Sequence, residues 1–320
     1  MKSQTTGLSI ILPIYNDAIA VNRFLPQLIA FTAQLEMNCE ILMIDDGSRD
    51  DLVKVFNSNL IHLPENTVLR LIQFSRNFGK EAALTAGLKE SKGALVAMMD
   101  ADGQHPISIL SQMLDLIKNN NVEVVAAVQN SRQNETLIAR IFKKCFYCFM
   151  EDTHRYQLTP NAGDFRLLTK KVVEAILQLP ERQRFMKGLY AWVGFPTLFI
   201  PFQAEPRQAG KSKFNFFSLF ELALVGITSF SQRPLRWISR AGLIISIIAM
   251  IYGLYIVIDT LCFGKDLAGW PTLAAGIMFS TGLQLVCLGL IGEYIGRIYE
   301  EVKHRPLYLI NKQWDSSQQK

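Results

Sequence analysis

Charge is scarce in this chain, cysteine is scarcer, and long basic runs are missing. Charged residues make up 19% of the 320 positions and hydrophobic ones 49%, a more apolar balance than a typical soluble enzyme carries. The net charge of +5 is mild, and no run of Lys and Arg of the kind that tracks phosphates is present, which argues against nucleic acid as a partner. Five cysteines exclude a disulfide framework in a chain of this length. Cys145 and Cys148 form a C-x-x-C, but it sits in the apolar "KKCFYCFM" with no second Cys/His pair nearby, so packing is the expected role and a reducing compartment the expected setting. The first residues lack a signal peptide's apolar core: "LSIIL" is cut short by Pro13 and polar residues. The first strand is expected there instead, with the N-terminal domain in the cytoplasm.

What is present falls into two unlike halves. Unbroken apolar runs at 8–12, 40–44, 68–74, 94–99 and 122–128 read as strands buried on both faces. Helical patterns at about 18–36, 51–58, 79–91 and 106–119 separate them. This alternation predicts an open α/β sheet with right-handed crossovers. Residues 130–215 are less regular. After Arg236 the composition changes: 241–258 and 267–292 carry no charge at all. Each supplies the ~20 apolar residues that cross a bilayer. Arg233, Arg236, Arg240, Arg297, Lys303 and Arg305 flank one side and the short "DTLCFGKD" the other, so the positive-inside rule places both termini in the cytoplasm. The stretch before the first span, 214–236, reads as helices lying at the membrane surface.

Polar residues gather where the strands end: Tyr15-Asn16-Asp17, Asp45-Asp46-Gly47-Ser48, Ser75-Arg76-Asn77 and Asp100-Ala101-Asp102. Ligands of open α/β sheets bind outside the carboxyl ends of the strands, so four such ends predict one composite site. Asp100 and Asp102 point the same way if the segment is extended, and two hard carboxylates so placed select Mg²⁺ or Mn²⁺. Gln104 can add a neutral oxygen, and Pro106 suits the first turn of the next helix. Turn and cap roles are the plainer alternative for these aspartates. In "IDDGS", Gly47 suits the turn and Ser48 or Asp50 the helix cap, which leaves a carboxylate of Asp45 or Asp46 for the N–H of a base. Arg76 and Lys80, ahead of a helix opened around Gly79, favour a diphosphate.

"IILPIYND", "IDDGS", "SRNFGKEAALTAGL", "DADGQHP" and "RQAGKSKF", followed by two spans, resemble the polyisoprenyl-phosphate glycosyltransferases. These include dolichol-phosphate mannose synthase and, nearer to this chain, the bacterial bactoprenol (undecaprenyl-phosphate) glucosyltransferases. The resemblance covers nearly the whole chain. It implies an inverting, family-2 transferase with a GT-A, Rossmann-like, mostly parallel sheet flanked by helices. That domain would span 1–213, followed by surface helices at 214–236, two transmembrane helices within 237–300 (about 238–260 and 269–293) and a cytoplasmic tail at 301–320.

The resemblance also implies roles. Pro13, Tyr15 and Asp17 would line the nucleotide pocket, although the family usually has Glu where Asp17 stands. Asp45, with Asp46 beside it, would hold the base, and Arg76 and Lys80 the diphosphate. Asp100, Asp102 and Gln104 would hold the metal and, through it, the nucleotide sugar, with Asp102 acting in catalysis. Arg132, Arg140, Arg207, Lys211 and Lys213 would meet the acceptor phosphate. Asp164, in "NAGDFRLL", stands where an acidic residue is a candidate base. A phosphate monoester is already largely dianionic at neutral pH, so an orienting role is the expectation; a loop carboxylate paired with Arg166 is the alternative.

The implied reaction moves a sugar, glucose from UDP-glucose first, to a polyprenyl phosphate at the cytoplasmic face of the inner membrane. UDP-aminoarabinose, UDP-N-acetylhexosamine and GDP-mannose stay open as donors, and self-association is left open. A processive polysaccharide synthase fits less well, because "RQRFMKG" (182–188) lacks the Trp of the Q-x-x-R-W motif. A nucleotide-sensing transport subunit fits less well too, because two spans offer no charged pathway.

Overall fold

The computed structural model describes residues 7–129, 159, 162–182, 184–203, 233–263 and 269–318. They form two compact units, one holding an eight-stranded sheet and the other two long helices.

In the first unit the expected alternation appears as β1 (Leu8–Ile14), α1 (Ala18–Ala33), β2 (Cys39–Asp45), α2 (Leu52–Asn59), β3 (Thr67–Phe74), α3 (Lys80–Glu90), β4 (Leu95–Met98), α4 (Ile107–Asn120) and β5 (Val124–Gln129). The less regular region contributes β6 (Ala162–Thr169), α5 (Lys170–Gln178), α6 (Met186–Trp192) and β7 (Thr197–Phe202). The sheet order is β7-β5-β6-β4-β1-β2-β3-β8, where β8 is Ile310–Asp315. Only β6 and β8 run against the other six strands. Residues 301–320, read from the sequence as a tail, therefore contribute an edge strand.

The unbroken apolar runs have their predicted cause. Leu8, Ile10, Ile11 and Leu12 are all fully buried, as are Ile41, Leu42, Met43 and Ile44, because helices cover both faces of the central strands. α3 lies close to β1 because its buried stretch is mostly small. A Cβ on Gly87 would stand 2.3 Å from Cγ2 of Ile11, so no larger residue fits that crossing.

One reversal places the chemistry. β6 pairs antiparallel with β4, with Arg166 opposite Met98. The start of β6 therefore shares an edge with the end of β4, and Asp164 arrives beside Asp100.

The second unit holds α7 (Arg233–Phe263) and α8 (Trp270–Val302). Within them, Trp237–Ile256 and Gly276–Val302 have mean hydropathies of 1.7 and 1.4 over their most apolar windows, with none of either window buried. At 1.5 Å per residue, the 31 residues of α7 span about 46 Å, more than the ~30 Å of a hydrocarbon core. The two helices are long and apolar enough to cross a membrane. The expected surface helices of 214–236 lie almost wholly outside the described residues.

Candidate active site

A cleft of about 320 Å³ opens at the carboxyl ends of the central strands. Pro13 and Ile14 line it from the end of β1, Tyr15 and Asp17 just after that strand, and Asp46 after β2. Asn77, Gly79, Lys80 and Ala83 come from the β3–α3 junction, and Asp100, Ala101 and Asp102 from the end of β4.

The β2 turn is built around Gly47. Its φ is +70°, and a Cβ there would lie 2.4 Å from the carbonyl carbon of Arg76. Both facts demand glycine. Its two neighbouring aspartates divide the work differently from the sequence expectation. Asp45 is wholly buried and does not line the cleft; its oxygens accept from the Ser48 N–H (2.8 Å) and the Gln73 side-chain amide (2.9 Å). One oxygen closes the turn and the other ties β2 to Gln73 on β3, so the base-holding role the resemblance gives Asp45 stays a proposal. Asp46 faces the cleft, and its carboxylate accepts from the Phe78 and Gly79 N–H groups at 2.6 and 2.9 Å. Burial raises its pKa, against the pull of those two bonds. Capping also differs: Asp50 accepts from Ala18 N–H at the start of α1, while Ser48 Oγ accepts from the Asn16 N–H.

Lys80, the first residue of α3, bridges two carboxylates. Its Nζ lies 2.6 Å from Asp100 Oδ1 and 3.1 Å from Asp164 Oδ2. Burial pulls its pKa down, but Asp164 and then Asp100 more than reverse this, so the ammonium stays charged well beyond neutral pH. Asp164 thus pairs with Lys80 and not with Arg166. The Arg166 guanidinium donates instead to the Gly163 carbonyl (3.0 Å) and lies over the Tyr190 ring at 4.3 Å. The other oxygen of Asp164, Oδ1, is buried and has no hydrogen bond among the described residues. A polar atom left this way at a cleft edge is suited to accept from a ligand hydroxyl.

The Asp100–Asp102 turn is held from within. Asp102 Oδ1 accepts from the Gln104 N–H at 3.0 Å, and His105 Nδ1 accepts from the Asp100 N–H at 3.0 Å. His105 stacks on Phe165 with centroids 4.5 Å apart, and burial lowers its pKa, so it serves as a neutral acceptor. Gln104 itself lies outside the cleft lining. A hard divalent cation fits this edge through Asp100 and Asp102. Among the described residues no three His, Cys, Asp or Glu side chains converge, so its remaining ligands would be diphosphate oxygens and water.

Arg76 is exposed, does not line the cleft, and lies 4.0 Å over the Phe78 ring. Arg132, Arg140, Arg207, Lys211 and Lys213 lie outside the described residues.

Sequence reasoning missed Glu81. Its Oε2 accepts from the Met186 N–H (3.0 Å), tying the start of α6 to the start of α3. Burial, with the Asp164 charge next, pushes its carboxyl up to about 7. The adjacent Lys80 in "GKE" was the available signal. Because the folded pKa exceeds the unfolded value of 4.5, the native state binds the extra proton between the two. Stability should therefore fall as pH rises from about 4.5 through about 7. Glu81→Gln keeps an acceptor for Met186 and should flatten that slope in thermal melts; an unchanged slope would assign the pH dependence elsewhere.

Residues 9–177 match the model described as glycosyl transferase family 2. The chain belongs to glycosyl transferase family 2. Residues 233–298 of this glycosyltransferase match a second model, the GtrB C-terminal hairpin. The SfII prophage-derived bactoprenol glucosyl transferase of Shigella flexneri is 39% identical over 95% of this chain and 97% of its own length. An uncharacterised glycosyltransferase of Synechocystis is 41% identical over 97% and 96%. A prophage bactoprenol glucosyl transferase homologue of Escherichia coli is 36% identical over 95% and 98%. Among solved structures, a mannosyltransferase from Pyrobaculum calidifontis is similar at 13% identity over 94% of this chain and 88% of that one, with a TM-score of 0.47. The chain is an enzyme of the GT-A-like α/β type, and the acidic edge of its sheet lies in the part that the transferase model matches.

Proposed function

We propose that this enzyme transfers a sugar, glucose from UDP-glucose in the first instance, to a polyisoprenyl phosphate at the cytoplasmic face of a membrane. The observation that carries the reading is the Asp100–Lys80–Asp164 bridge at the cleft edge, in a chain that also carries two exposed apolar helices. The similarity to bactoprenol glucosyl transferases over nearly the full chain supports the lipid acceptor.

In this reading the nucleotide lies along Pro13, Tyr15, Asp17 and Asp46, and its diphosphate reaches the β3–α3 junction. Lys80 then leaves its carboxylates for the diphosphate, and Asp164, released, accepts from the sugar or orients the acceptor. The lipid phosphate attacks the anomeric carbon, the bond to the nucleoside diphosphate breaks, and configuration inverts. The nucleophile is already largely deprotonated, so positioning matters more than proton removal. Asp100 and Asp102 would hold Mg²⁺ or Mn²⁺, which supplies Lewis-acid stabilisation to the departing diphosphate. Arg132, Arg140, Arg207, Lys211 and Lys213 are proposed to meet the acceptor phosphate. The two long helices are proposed as membrane spans, with the basic flanks and both termini cytoplasmic.

The test is direct. Purified full-length enzyme in vesicles, given undecaprenyl phosphate and labelled UDP-glucose with Mn²⁺, should move label into the organic phase. GDP-mannose, UDP-N-acetylhexosamine and UDP-aminoarabinose serve as competing donors. Label found only as free sugar or water-soluble polymer would overturn the lipid acceptor.

A further inference from the structure

The chain that leaves α8 at Val302 forms β8 at Ile310–Asp315, so seven residues separate the last long helix from the catalytic sheet. β8 pairs with β3, whose carboxyl end leads through the loop 75–79 into α3, and Asn77, Gly79 and Lys80 at this junction line the cleft.

The loop is fixed from two sides. On the inner side the Asp46 carboxylate holds the Phe78 and Gly79 N–H groups, and Gly47 lets the Arg76 backbone approach. On the outer side Leu309 O accepts from the Ser75 N–H at 2.9 Å. Tyr308 stacks on Phe74 with centroids 4.8 Å apart and planes 11° from parallel. Phe74 meets Phe78 edge-on at 5.9 Å, and the Arg76 guanidinium lies over the Phe78 ring. An aromatic column thus runs from Tyr308 through Phe74 and Phe78 to Arg76.

The end of β8 is anchored as well. Arg70 on β3 is buried and faces Asp315, Glu40 and Glu90, and Ser316 Oγ accepts from the Leu69 N–H at 2.9 Å. A strand held at both ends fixes the register of Tyr308 against Phe74.

We propose that residues 308–316 act as a strap that positions the donor loop, and that Tyr308 is a positioning residue for the nucleotide diphosphate. The inference rests on the donor reading given above. The strap sets where Asn77, Gly79 and Lys80 present themselves, while making no contact with the nucleotide itself. It also means that the segment bracing the donor loop is the one that follows the two apolar helices in the chain.

The test uses the full-length enzyme, UDP with Mn²⁺ as the probe, and two substitutions. Tyr308→Leu fills the space but cannot stack; Tyr308→Phe keeps the ring. By calorimetry, Tyr308→Leu should bind UDP about three- to tenfold more weakly than wild type, in line with the loss of one aromatic pair. Tyr308→Phe should match wild type. In steady state the loss should fall on the KM for the donor and spare kcat. Hydrogen exchange at the Phe78 and Gly79 amides should quicken in Tyr308→Leu, a readout that a general drop in stability spread over the fold would not confine to this loop. Unchanged affinity with unchanged exchange in Tyr308→Leu overturns the strap, and so does equal weakening in both variants. If wild type binds neither UDP nor GDP, the donor reading fails, and the strap with it.

Discussion

Asp102→Asn, and separately Asp100→Asn, should lower turnover with saturating donor by about 10²- to 10³-fold, the equivalent of the several kcal/mol that Lewis-acid stabilisation of a departing charge is worth. Asparagine keeps the size of the side chain, so the turn that carries Ala101 should survive. His105 and the Gln104 N–H hold that turn through backbone contacts and Asp102 Oδ1, and an amide oxygen can still accept the latter. Thermal stability should therefore change little while activity collapses. EDTA should reproduce the collapse in wild type, and added Mn²⁺ should reverse it. Full activity in either variant would remove the edge from the chemistry.

The second large effect concerns Lys80. Lys80→Met keeps the aliphatic stem and deletes the charge, leaving Asp100 and Asp164 to face one another across the space the ammonium held at 2.6 and 3.1 Å. Since the Lys80 side chain is 44% exposed, water screens part of the repulsion, and the larger loss should appear in kcat/KM for the donor, about 10²-fold. Asp164 then separates base from orienting group. An orienting Asp164 tolerates Asn, which still accepts a hydrogen bond, but not Ala. A base tolerates neither. We expect Asp164→Asn to retain most turnover and Asp164→Ala to lose at least about tenfold, because the acceptor phosphate needs no proton removed at neutral pH. Equal losses in the two variants, measured between pH 6 and 8, would make Asp164 the base.

The central sheet was legible because burial on both faces writes a continuous apolar run, and the runs ending at Ile44, Phe74 and Met99 could hardly be mistaken. The composite site followed from where those runs stop. What stayed hidden depended on pairing at long range. Nothing local in "NAGDFRLL" says that its strand runs backwards, yet that reversal brings Asp164 to Asp100. Likewise "DDGS" offered two carboxylates with no local way to tell which closes the turn; the answer depends on Gln73, on another strand, and on the Phe78 and Gly79 amides. Glu81 escaped notice because its partner, Met186, is more than a hundred positions away. β8 escaped because "INKQWD" is polar, as an edge strand half open to water is allowed to be.

The position of β8 at residues 310–315 also sets an order of events during synthesis. The flank of β3 stays bare on the ribosome until both greasy helices have been made, and a bare flank is a template for wrong partners. On the membrane-spanning reading proposed above, both helices are free to begin inserting before the final seam of the enzyme can close.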